Sequence, residues 1–123
     1  MNDYQSSLLR EEFPGLLDGV YLHRLPWGWF NLARTACRRV KHFIDEWEFP
    51  AEFRIREIGA VDTMFFIDAN LDEVFPRSGH ELGAWVALII EIRERGYRIC
   101  EECGAMGEYR ESAGRVLCAE HYY

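Results

Sequence analysis

Two pairs of side chains near the carboxyl end constrain this chain more than any other feature. Cys100 and Cys103 are separated by two residues, Cys118 and His121 by two more, and fourteen residues lie between the pairs. Thiolate and imidazole are the donors that zinc takes in tetrahedral sites. A Cys-x2-Cys turn points two sulfurs at one ion and lets nearby amides donate to them. Gly104 follows directly and suits the tight backbone of such a knuckle. The intervening residues read as a hairpin: 108–110, a turn around Ser112-Ala113-Gly114, then 115–117. Four protein ligands leave no coordination position for water. The spacing therefore predicts a structural Zn²⁺ on Cys100, Cys103, Cys118 and His121 rather than a catalytic one. Cys37, the remaining cysteine, lies on the apolar side of a helical pattern and reads as a small buried hydrophobe.

Such a staple suits a chain of 123 residues, which can bury only a modest core. With 49% hydrophobic and 15% aromatic residues the chain is too apolar for a disordered segment. No linker, low-complexity run or repeat divides it. One domain is expected, with residues 1–97 as an α+β core and residues 98–123 as the zinc-binding hairpin packed on it.

Hydrophobic spacing defines two long helices. Over 28–49, Trp29, Ala33, Ala36, Val40, Phe43 and Trp47 recur every three or four residues, and Pro50 ends the pattern. Over 78–95, Leu82, Trp85, Ile89 and Ile92 form a core stripe. Ser78 with Glu81 resembles a capping box, and Gly96 is a stop. Val86, Leu88 and Ile90 make the middle of this helix apolar nearly all round, which predicts either enclosure by other elements or a homodimer through helix 78–95. Residues 6–12 read as a short helix and 20–22 as strand-like. Residues 53–58 alternate as a strand, with Phe53, Ile55 and Glu57 on one face and Arg54, Arg56 and Ile58 on the other. Residues 64–67 form a second strand across a 59–63 connection, and 68–79 read as a loop. The expected fold is α+β: two long helices on a small antiparallel sheet, closed by the zinc hairpin.

The net charge is −7, which opposes non-specific binding to phosphate backbones. There is no phosphate-binding glycine loop and no nucleophile elbow. A Cys-x2-Cys with a following Leu-Cys-x2-His also occurs in nucleases that hold a catalytic metal on histidines, but no histidine lies between Cys103 and Cys118. His23, His42 and His80 have no partners at ligand spacing. Asp62, Asp68, Asp72 and Glu73 form an acidic stretch around a loop, whose carboxylates either hold Mg²⁺ or are simply solvated. No membrane-spanning run and no secretory pattern is visible, so a cytoplasmic location is expected.

The tail Cys-Glu-Glu-Cys-Gly-Ala-Met-Gly-Glu-Tyr-Arg (100–110) with Leu-Cys-Ala-Glu-His (117–121), together with Gly28-Trp29-Phe30 at a helix start, resembles a family of small bacterial and phage zinc-binding proteins. The resemblance implies a zinc-binding domain of phage or mobile-element origin. It covers about three quarters of the chain in order of elements and is specific in the zinc tail. The expected function is a non-enzymatic, zinc-stabilised protein-binding module. Its partner would be a host or cellular protein, and its role that of a phage-encoded inhibitor of a host defence or nucleic-acid-handling complex. The alternative is a nucleic-acid-binding accessory protein that uses the zinc knuckle and Arg34, Arg38, Arg39, Lys41 and His42 on helix 28–49.

Overall fold

A computed structural model describes residues 2–22, 25–74 and 79–122. The class is α+β. The first helix, α1 (Asp3–Glu12), begins earlier than the sequence suggests because Asn2 caps it. The Asn2 side chain accepts the Gln5 N–H at 2.8 Å, and the Gln5 side chain accepts from the Asn2 N–H. That reciprocal pair satisfies two of the helix's orphan donors.

A two-residue strand, β1 (Tyr21–Leu22), follows, and a 3₁₀ turn at Trp27–Trp29 leads into α2 (Phe30–Glu46). The expected stripe faces the core: Trp29, Ala33, Ala36 and Val40 are fully buried, with Leu32 and Cys37 beside them. Trp47 is only partly buried and stacks on Phe43 at 5.6 Å. Phe43 also meets Phe49 and Trp85 edge-on, and this aromatic cluster joins the end of α2 to the next long helix.

The three-stranded sheet runs β1, β2 (Ile55–Val61), β3 (Met64–Ala69) and is mixed, not antiparallel. β1 pairs parallel with β2 because the chain passes through a whole helix between them. β2 pairs antiparallel with β3. A bulge interrupts this ladder: Ile55 faces Ala69 and Glu57 faces Asp68, so Arg56 is the extra residue. The bulge overrides the expected alternation and turns both Ile55 and Ile58 into the core.

Residues 59–61 belong to the strand rather than to a loop. The connection is the two-residue turn Asp62-Thr63, with φ of +49° and +61°. Positive φ at both positions matches the twist of a hairpin, though glycine or asparagine is the usual occupant. A β-branched residue pays about 1–2 kcal/mol there.

Part of the expected 68–79 loop is helical: α3 spans Leu71–Val74 and α4 spans Gly79–Gly96. Asn70, fully buried, organises this corner. Its side chain accepts the Arg54 N–H and donates to the Glu52 carbonyl and to Glu73. In α4 the buried residues are Trp85, Leu88, Ile89, Ile92 and Gly96. Leu82, expected in this stripe, is exposed, and so are Val86 and Ile90. Among the described residues the helix is therefore covered on one side, where α2 and β3 pack against it. Ser78 of the expected capping box, like His23, lies outside the described residues. Among the described residues no helix is long and apolar enough to cross a membrane.

The chain closes with β4 (Glu108–Arg110) and β5 (Arg115–Leu117), paired antiparallel around a turn where Gly114 takes φ +65°.

Candidate metal centre

The loop after α4 and the segment after β5 bring together the four side chains singled out by their spacing. One ligand atom from each of Cys100, Cys103, Cys118 and His121 lies within 4.8 Å of the others. The Cys103 and Cys118 sulfurs are 3.7 Å apart, and Nδ1 of His121 is 3.8 Å from Cys100 Sγ and 3.2 Å from Cys118 Sγ. A tetrahedron with metal–sulfur bonds of about 2.3 Å and a metal–nitrogen bond of about 2.05 Å has S···S edges of about 3.8 Å and S···N edges of about 3.6 Å. Three of the six edges thus lie near those of a tetrahedral metal site, with His121 presenting Nδ1.

The knuckle is closed by its own backbone hydrogen bonds. The Gly104 N–H donates to the Cys100 carbonyl at 2.9 Å and the Cys100 N–H to the Ala105 carbonyl at 2.8 Å. Gly104 takes φ +81°, which a side chain would strain. Burial raises the Cys100 pKa, but donors from the backbone of Cys118, Cys103 and Glu102 outweigh it and hold the thiol below its ordinary value. The Cys118 thiol is drawn down to about 6, chiefly by His121 beside it, while the His121 imidazole is raised by Cys118. A thiol already inclined to ionise is a ready metal ligand. Cys37 behaves oppositely: desolvation pushes it up to about 12, as expected of a buried hydrophobe outside the site.

Three groups that position this centre were not visible in the sequence pattern. The first is Gly28, whose N–H donates to the Glu101 carbonyl at 2.8 Å. A Cβ at Gly28 would lie 2.0 Å from the Cys100 carbonyl oxygen and 2.6 Å from the Gly104 nitrogen. The 3₁₀ turn and the knuckle are packed backbone to backbone. Trp29 strengthens the joint, its Nε1–H donating to the Ile99 carbonyl at 3.0 Å.

The second is Glu101, a nearly buried carboxylate. It accepts from the Val116 N–H at 2.6 Å and from the Thr63 hydroxyl at 2.8 Å, tying the knuckle to β5 and to the strained β2–β3 turn. The third is Tyr122, which follows the last ligand. Its hydroxyl lies 3.0 Å from Ser112 Oγ and its ring lies under the Arg110 guanidinium at 4.6 Å. Gly28 carried one signal: a glycine between two tryptophans at a helix start marks a close backbone approach. Glu101 and Tyr122 carried none, since their partners are distant in sequence.

The cations of α2 are mostly engaged. Arg34 and Arg38 both bond to Glu12, and Arg39 forms a bidentate pair with Glu91. His42 faces Glu46 at 3.3 Å.

Comparison with protein-family models, with curated proteins and with solved structures finds no match in any of the three. The reading of the site therefore rests on its own geometry.

Proposed function

We propose that the centre holds a structural Zn²⁺ and that the chain is a non-enzymatic protein-binding module. The donor set supports zinc: three cysteine sulfurs and one imidazole, gathered within 4.8 Å of one another, are soft-to-borderline ligands suited to that ion. The ion's role is to fix the knuckle, since four protein ligands fill its sphere.

The observation that carries the binding role is the surface beside the knuckle. Trp27, next to the Gly28 contact, is 59% exposed, and Met106, two residues past Gly104, is 87% exposed. Tryptophan is enriched among residues that dominate interface energies, and methionine adapts to varied apolar partners. A rigid joint flanked by two such side chains suits a cellular protein with an apolar contact patch. The chain's net charge of −7 favours a basic rim on that partner. An inhibitor of a host complex is the form of this role that the resemblance implies. Ion pairing of Arg34, Arg38 and Arg39 takes support away from the nucleic-acid reading. The exposed Leu82, Val86 and Ile90 would in turn suit a second copy of the chain, tested by sedimentation of the wild type against V86E/I90E.

The deciding experiment is affinity purification with mass spectrometry, comparing wild type with W27A/M106A at equal metal content. A partner retained by the wild type and lost by the variant is expected. Recovery of no partner at low salt, or equal recovery by both, would remove the proposal.

A further inference from the structure

A cleft lies on another face, where the α1–β1 connection, the end of α2 and the segment before β2 meet. It encloses about 340 Å³, within the range of small-ligand pockets. Its apolar wall comes from Phe13, Leu16, Ile44, Phe49 and Phe53. Two cations, Lys41 and Arg54, and one carboxylate, Asp18, also line it.

Elsewhere among the described residues seven arginines face carboxylates: Arg34 and Arg38 on Glu12, Arg39 and Arg95 on Glu91, Arg56 on Glu73, Arg110 on Glu108 and Arg115 on Glu102. Neither Lys41 nor Arg54 has an ion-pair partner among the described residues. In a chain of net charge −7, this cleft is thus lined by two cations without such a partner.

The walls are also fixed in advance. Residues 13–20 are irregular, yet the Arg10 guanidinium donates to the Leu17 and Val20 carbonyls at 2.8 Å each and pins them. The opposite wall is pinned by Asn70 through Arg54 and Glu52. Two loops, each held by a dedicated polar side chain, keep the cleft open without a ligand's help, which lowers the ordering cost of binding.

We propose that this cleft binds a small aromatic carboxylate. The phenylalanine-rich wall takes the flat apolar body, with edge or face contacts to the rings. Arg54 offers a planar fork matched to a carboxylate, and Lys41 adds a point charge. Asp18 repels a second negative charge, so a monoanion is preferred to a phosphate dianion.

The test is a titration of the full chain, zinc-loaded and ¹⁵N-labelled, with indole-3-propionate and separately with its neutral amide. Saturable amide shifts confined to residues 13–18, 41–44 and 49–54 are expected. The neutral amide should bind at least about 10-fold more weakly, and K41Q/R54Q should weaken the acid to a similar extent. Equal affinity for acid and amide in the wild type would overturn the proposal without reliance on any variant. So would shifts centred elsewhere, or no saturation at concentrations up to about 10 mM.

Discussion

The carbonyl oxygen of Gly28 sits so close to Gly104 that a Cβ at position 104 would approach it to 2.9 Å. Two glycines some seventy-five residues apart thus define the distance between the body of the fold and its metal knuckle. At Gly28 the space is tighter still, so Gly28→Ala cannot be accommodated without separating the two backbones. A loss of about 3 kcal/mol or more is expected, since overpacking and a broken Gly28–Glu101 bond act together. Gly83→Ala is the control: nothing lies within 4 Å of its Cβ, and alanine in a helix should stabilise by about 0.5–1 kcal/mol. Thermal melts of the two variants should move in opposite directions.

Cys103→Ser removes one ligand from the centre. Metal binding and local folding are coupled in such sites, so the variant should lose stoichiometric zinc and the order of the 100–122 segment. Because Gly28 and Trp29 lean on that segment, the main melting transition should fall as well. Elemental analysis together with a calorimetric scan checks both parts. An unchanged scan would contradict them.

Thiol chemistry should divide the four cysteines three to one. Cys37, buried and pushed up to about 12, should stay unreactive toward a disulfide reagent at pH 8 in the native state. After chelation Cys118, drawn down to about 6, should react first, Cys103, held above its ordinary value, more slowly, and Cys37 only on unfolding. The sign of its pH effect follows. The folded thiol holds its proton more tightly than the unfolded one, whose ordinary value is 9.0. Its contribution to stability is therefore complete below about pH 9 and is lost as pH rises toward 12. A melt series at alkaline pH on the wild type and Cys37→Ala reads the difference.

Asn70→Ala leaves the Arg54 N–H and the Glu52 carbonyl without their partners at a buried corner. An unsatisfied buried group costs about 1–3 kcal/mol, so a loss of about 2–4 kcal/mol is expected for the pair. Asn70→Asp should also destabilise, because a carboxylate would replace the donor that faces Glu73 and the Glu52 carbonyl. Urea unfolding measures both.

The parts of this molecule written locally were the legible ones. Two Cys/His pairs at fixed spacing announce a metal site because each pair is made within one turn. The stripe from Trp29 to Phe43 announces a buried helix because its period is set by the helix itself. Pairings that reach across the chain left no such mark. The bulge at Arg56, which sends Ile55 and Ile58 the same way, exists only against β3. Asn70 looks like any loop asparagine until Glu52 and Arg54 close around it. Leu82 shares its spacing with Trp85 and Ile89, yet among the described residues it is left exposed. The parallel β1–β2 pair is fixed by the passage through α2, a matter of topology rather than of residue type.

Trp29 gives the joint a built-in optical reporter. Its indole is fully buried and bonded to the Ile99 carbonyl at the base of the knuckle, whereas Trp27, two positions earlier, faces solvent. Their emission should differ in wavelength and in access to a soluble quencher. Withdrawal of the ion should shift the Trp29 component toward the red and leave Trp27 nearly unchanged.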